Sequence, residues 1–184
     1  MVRRRTRRGL VLGVSLLALV GFGCTRETTP PPPPVSTSAT PTESAQEREE
    51  RLAYEAAEKS YRDFRAEYRR ALNAGGASSA TSPMKAVAGG SYLQEATEVL
   101  QAYKGLQQHS SGAGKIVYVQ RQGYSATSLV LMTCEDTRSV KIFDKAGKMI
   151  GRGEQRQAEL EVRLEDGSWK VWSGRGRKVT SCDA

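Results

Sequence analysis

One histidine and three cysteines in 184 residues leave this chain short of the side chains on which most catalytic and metal sites are built. With His109 alone a cluster of imidazole ligands is excluded. That residue sits in a glycine- and serine-rich turn, where it reads as solvated rather than as a general base. No Cys or acidic cluster has ligand spacing either, so neither a metal nor a cofactor is expected. The longest apolar run, Leu10 to Val20, has about eleven residues against the ~20 of a membrane-spanning helix. Basic clustering of the kind that neutralises nucleic acid is also missing from the body of the chain, because five arginines fall within the first eight residues. Without residues 1 to 23 the formal net charge drops from +8 to +3. Only Arg175, Arg177 and Lys178 cluster after that, as at a solvated strand end.

The N-terminus supplies what the rest lacks. Arg3, Arg4, Arg5, Arg7 and Arg8 precede the short apolar run, which closes on Gly21, Phe22, Gly23 and Cys24. That order is a charged, an apolar and a cleavage region, and predicts an exported chain with residues 1–23 as signal peptide. Gly23 and Cys24 resemble the lipobox of bacterial prolipoproteins, in which a small residue precedes a cysteine that is diacylated and becomes the mature N-terminus. Gly21 and Phe22 depart from that pattern. Ordinary signal-peptidase cleavage is the rival, since Gly21 and Gly23 form a small-x-small site. Cysteine arithmetic favours lipidation at Cys24, because three thiols in an oxidising compartment leave one unpaired. Cys134 and Cys182 then remain as a disulfide pair closing a loop of about 49 residues, which loop-closure entropy values at ~4 kcal/mol.

Residues 24–43 hold Pro30 to Pro34, Pro41 and many Ser and Thr residues, the composition of an extended linker. The domain expected over 44–184 opens with Ser44 and Glu47, spaced as a capping box. Ala57, Tyr61, Phe64, Tyr68 and Leu72 form a helical stripe that ends at Gly75-Gly76. Residues 77–90 read as a loop or short irregular helix. Ser91 and Gln94 suggest a second capping box, ahead of the stripe Leu93, Ala96, Leu100, Tyr103 and Leu106. From Lys115 the period changes to two. Strands are expected over 116–120, 126–134, 140–143, 158–164 and 168–178.

Asp166-Gly167 predicts a two-residue hairpin turn. Its register sets Leu164 against Trp169, Val162 against Val171, Leu160 against Ser173 and Trp172 against Glu161. Trp172 then lies on an otherwise charged face, as a candidate partner contact or as an aromatic packed on the Arg163 or Lys170 stem.

Helices followed by an antiparallel sheet predict an α+β fold, with N-terminal helices packed on a curved antiparallel sheet. The positions Val140, Asp144 and Gly147, the run Asp166-Gly167-Ser168-Trp169-Lys170-Val171, and the cysteines at 134 and 182 resemble exported members of the nuclear-transport-factor-two-like superfamily, above all actinobacterial lipoproteins. The resemblance spans residues 45 to 184. It implies the cystatin-like cone shared with ketosteroid isomerase and scytalone dehydratase. Enzymes of that kind place carboxylates and tyrosines in a pocket between sheet and helices. By that analogy Asp136 is a candidate base, although a turn-capping role suits it better. Tyr61, Tyr68, Tyr103 and Tyr118 are candidate ligand donors or core residues.

The sequence thus predicts a lipid-anchored module on the extracytoplasmic face of the cell membrane. No catalytic residue is assigned, no nucleic-acid partner is expected, and the partner is an envelope protein or a second copy. The competing reading is a small-molecule binder or isomerase-like enzyme, favoured if a carboxylate and a tyrosine converge in an open cavity.

Overall fold

The structure, a computed structural model, describes residues 43–183. The expected signal peptide, Cys24 and, save for Glu43, the linker lie outside the described residues. Helix α1, Ala45–Asn73, contains no β-branched residue and no proline, so nothing in its 29 residues opposes the helix. Its start is the expected capping box. Ser44 Oγ accepts from the Glu47 amide at 3.2 Å, and Glu47 Oε2 accepts from the Ser44 amide at 2.8 Å. Glu58 and Arg62 form an i,i+4 pair on the surface of α1. Arg51 pairs with Glu43 and Glu55, while the Glu47 carboxylate is spent on the cap. At the far end Gly76 has φ +83°, and a Cβ there would lie 2.2 Å from the Leu100 carbonyl oxygen, so only glycine lets the two helical segments approach.

Helix α2, Ser82–Val87, is the short helix allowed for between residues 77 and 90. Helix α3, Gly90–Gly105, departs from expectation at its start. Gly89 is its N-cap and no side chain caps it, so the Ser91–Gln94 box does not form. The start is set by tertiary contact, since the Gly89 amide donates to the Val171 carbonyl at 2.9 Å.

Seven strands follow: β1 His109–Ser111, β2 Lys115–Tyr124, β3 Ser128–Asp136, β4 Lys141–Phe143, β5 Met149–Arg152, β6 Gln155–Glu165 and β7 Ser168–Lys178. The antiparallel order β2-β3-β6-β7 makes the main sheet, and β1-β4-β5 a smaller one. β1 and β5 were not foreseen, because strands of three and four residues are too short to display a period. Two register shifts in β2 and one between β6 and β7 bend the main sheet. Leu129, Leu131, Leu160, Val162 and Val171 line its inner face against Ala57, Tyr61, Phe64, Met84 and Leu100, and all ten are buried. The α+β architecture, helices on one face of a curved antiparallel sheet, is the one the sequence predicts.

The hairpin register needs one correction. Leu164 faces Trp169 and Val162 faces Val171 as expected, but Leu160 faces Gly174 and Glu161 faces Ser173. Trp172 is therefore the extra residue of a bulge and opposes neither Glu161 nor any other residue of β6. Beside it, Ala88 forms a parallel bridge with Val171. The indole turns toward the start of α3, where a Cβ on Gly89 would meet ring atom Cζ3 at 2.6 Å. The Arg163 guanidinium covers it at 5.3 Å, as the packing alternative supposed.

Candidate functional site

Along β7 the inner-facing positions beyond Val171 are Gly174, opposite Leu160 of β6, and Gly176, opposite Ala158. With no side chain on either glycine and only a methyl group on Ala158, the sheet floor stays uncovered where the helices pass over it. The result is an open cavity of about 450 Å³ lined by Gly174, Gly176 and Ala158, by Arg156 and Leu160 of β6, and by side chains of α1, α3 and β3. Arg175 and Arg177, which drew attention in the sequence, alternate with the glycines. They fall on the opposite face beside Glu159 and Gln157.

Helical spacing brings Tyr61, Phe64, Arg65 and Tyr68 of α1 to one wall, and Tyr92 of α3 meets Phe64 with ring centroids 4.8 Å apart. From below, β3 contributes Thr133 and Glu135, which share the parity of the core residues Leu129 and Leu131. Glu135 is the focus. Its Oε1 accepts from the Tyr61 hydroxyl at 2.5 Å and its Oε2 from Arg65 Nη2 at 2.5 Å. The Arg65 and Glu135 side chains are only 23% and 13% exposed. Arg65 also lies 5.4 Å from the Tyr68 ring centroid, and its Nε is buried with no hydrogen-bond partner.

Electrostatics follow from this crowding. Burial, aided by the Glu135 charge, pushes the Tyr61 phenol far above its ordinary value. Burial also pushes Tyr68 and Tyr92 up to about 12, against the opposing influence of Arg65. Burial works against the Arg65 charge as well, but Glu135 beside it outweighs that and the guanidinium stays protonated. The cavity lining therefore holds the carboxyl groups of Glu135 and Glu95, the guanidinium groups of Arg65 and Arg156 and three neutral phenols.

Asp136, the candidate base, lies outside this cluster. Its Oδ1 accepts from the Arg138 amide at 3.1 Å and its Oδ2 from Arg138 Nη2 at 2.7 Å, the turn-capping role. Those bonds hold its carboxyl at about 2. The acid that does enter the cavity is the preceding residue, and the parity of Leu129 and Leu131 was the signal that could have found it. Tyr61 and Tyr68 reach the site. Tyr103 does not line it, and Tyr118 accepts from Gln157 Nε2 at 2.8 Å on the outer face. Arg65 and Tyr92 were missed, being a charged residue inside an apolar stripe and an aromatic next to a supposed cap. Exposed His109 stacks on Phe143 at 5.3 Å.

Among the described residues no group of three His, Cys, Asp or Glu side chains is placed to hold a metal ion, and no helix is long and apolar enough to cross a membrane. Cys134, on the outer face of β3, is joined to Cys182 with their Cα atoms 5.7 Å apart, which fastens the segment after β7 to the main sheet.

The chain matches no protein-family model and no curated protein. Among solved structures it is similar to the intermembrane space region of the chloroplast protein ARC6, with a TM-score of 0.51 and 14% identity over 68% of this chain and 96% of that one. A second similarity is to a protein of the NTF2-like family from Streptomyces avermitilis, provisionally described as a dehydratase. There the TM-score is 0.43 and the identity 12%, over 71% of this chain and 99% of that one. At such identity the first likeness is one of fold.

Proposed function

We propose that this protein is a non-catalytic binding module, held at the extracytoplasmic face of the membrane by a lipid on Cys24, and that its cavity takes a small uncharged molecule carrying a hydroxyl group. The observation that carries the ligand reading is the Glu135 carboxylate on an open cavity floor with Tyr61 on one oxygen and Arg65 on the other. Arg65 and Glu135 cancel each other's charge, and the exposed part of the lining adds one further residue of each sign, Arg156 and Glu95, so the site offers acceptor lone pairs and phenol donors rather than net charge. The apolar walls from Phe64, Ala96, Val99 and Leu160 suit a compact hydrocarbon body. Export and anchoring are supported by the N-terminal pattern and by the pairing of the other two cysteines. An envelope protein remains the expected macromolecular partner.

The convergence of a carboxylate and a tyrosine favours a second reading, an isomerase- or dehydratase-like enzyme with Glu135 as base. Against it, proton abstraction by Glu135 would have to displace Tyr61 or Arg65, which occupy both of its oxygens.

Thermal-shift and NMR titrations with cyclohexanol, phenol and cyclohexenone test the pocket. Binding is expected for the wild type and should be lost in Ala158→Leu, which fills the floor. Deuterium incorporation into cyclohexenone should stay at the buffer rate, and exchange abolished by Glu135→Gln would replace the binding reading with the enzymatic one. Cys24→Ser should release the protein from the membrane or block its processing. Unchanged retention and precursor size would sink the anchor.

A further inference from the structure

The hairpin β4–β5 contributes nothing to the cavity, yet its surface is unlike the rest of the domain. Met149 and Ile150 are consecutive large apolar residues, 43% and 48% exposed. Around them Lys141, Lys145, Lys148 and Arg152 are all exposed, and none of the four forms an ion pair among the described residues. The one acid between residues 138 and 153, Asp144, accepts from the Ala146 and Lys148 amides at 2.9 Å each and is tied into the turn. Two exposed apolar side chains thus lie on a hairpin that also carries four exposed cations.

A protein strand added to the β5 edge is poorly served by this geometry. Ile142 pairs with Gly151 and Phe143 with Met149, leaving Ile150 as the extra residue of a bulge. Bulges and lysines deter strand addition. A second copy of the chain would bring the same cations face to face. What stays complementary is a surface that is anionic and also accepts short apolar insertions.

We propose that the β4–β5 hairpin docks peripherally on an anionic lipid bilayer. Met149 and Ile150 enter the boundary between headgroups and acyl chains, while Lys141, Lys145, Lys148 and Arg152 meet the lipid phosphates. Each cation near such a surface raises partitioning about fivefold. This reading goes beyond the cavity and needs no anchor. With a lipid on Cys24, the chain from 24 to 43 spans at most about 70 Å, which keeps the hairpin within reach of the same bilayer.

The test uses the mature chain from residue 24 with Cys24→Ser, so that no acyl group contributes. It is sedimented with vesicles of phosphatidylcholine alone or with one third phosphatidylglycerol. Binding is expected only to the anionic vesicles, weakening at high salt. Lys145→Glu with Lys148→Glu should weaken it at least ~25-fold, and Met149→Ser with Ile150→Ser at least about fivefold. Lys141→Gln with Arg152→Gln is a second charge variant should the first fail to fold, and unfolding midpoints check each protein. No binding to anionic vesicles overturns the proposal. So does binding that survives the Met149/Ile150 substitutions, which would be adsorption by charge alone, or binding that survives the charge substitutions.

Discussion

Single residues decide what the cavity can do. Removing one partner of a buried ion pair leaves the other charge uncompensated, whereas removing both can be nearly neutral. The Arg65–Glu135 pair is partly solvent-exposed, so we expect Arg65→Met to cost about 2 to 3 kcal/mol, below the range for fully buried pairs. The double variant Arg65→Met/Glu135→Gln should recover most of that. Urea denaturation of the four proteins of the cycle measures it, and equal losses in the single and double variants would refute the pairing. Trp172 is a second case. A register without the bulge would leave it on the surface and make Trp172→Ala mild. With its indole packed over Gly89 and Gly90, the substitution should instead cost roughly 2 to 4 kcal/mol, comparable with Trp169→Ala. If Trp172→Ala costs under half as much as Trp169→Ala, the indole is not packed as described.

Between elements, Glu67 joins the two helices that roof the domain. Its carboxylate accepts from Arg70 on α1 and, at 2.7 Å, from the hydroxyl of Thr81, the N-cap of α2. Arg70 first and Thr81 after it hold its carboxyl at about 2, against an ordinary 4.5. A carboxyl lowered in the folded state contributes stability that is complete above pH 4.5 and is lost as the pH falls toward 2. Tyr68 and Tyr92 act with the opposite sign. Raised from 10 to about 12, they contribute stability present below pH 10 and lost as the pH rises toward 12. Denaturation midpoints should therefore fall at both extremes, and Glu67→Gln should flatten the acid limb alone. An unchanged acid limb in that variant would remove Glu67 from the account. The helices themselves were largely legible. The Ser44 box, the stripe from Ala57 to Leu72 and the Gly75-Gly76 stop are local signals, and each formed. The α3 start was not, because a backbone bond from Gly89 to Val171 outweighs the Ser91–Gln94 pattern.

For the whole molecule, the link between Cys134 and Cys182 closes a 48-residue separation across β3 and the segment after β7. Its loss should lower stability by about 4 kcal/mol through the freedom returned to the unfolded chain. Denaturation of the Cys134→Ala/Cys182→Ala variant tests this, and non-reducing peptide mapping of envelope-derived protein should find one cross-linked peptide. By itself the sequence determined what depends on neighbours a few residues apart: helix α1 and its cap, the period-two strands, the Asp166-Gly167 turn and hence an α+β class. Composition likewise set the expectation of an exported chain. The Cys134–Cys182 link apart, only the tertiary structure decided which side chains meet across long separations. Glu135 finds Tyr61 and Arg65 some seventy residues away, and Trp172 finds the start of α3. The cavity exists because Ala158, Gly174 and Gly176, unremarkable in their own strands, lie side by side on the inner face of the sheet. Periodicity reports which face a residue takes, but a site is made of residues that sequence distance keeps apart, and their meeting is fixed only when sheet register and helix packing are fixed together.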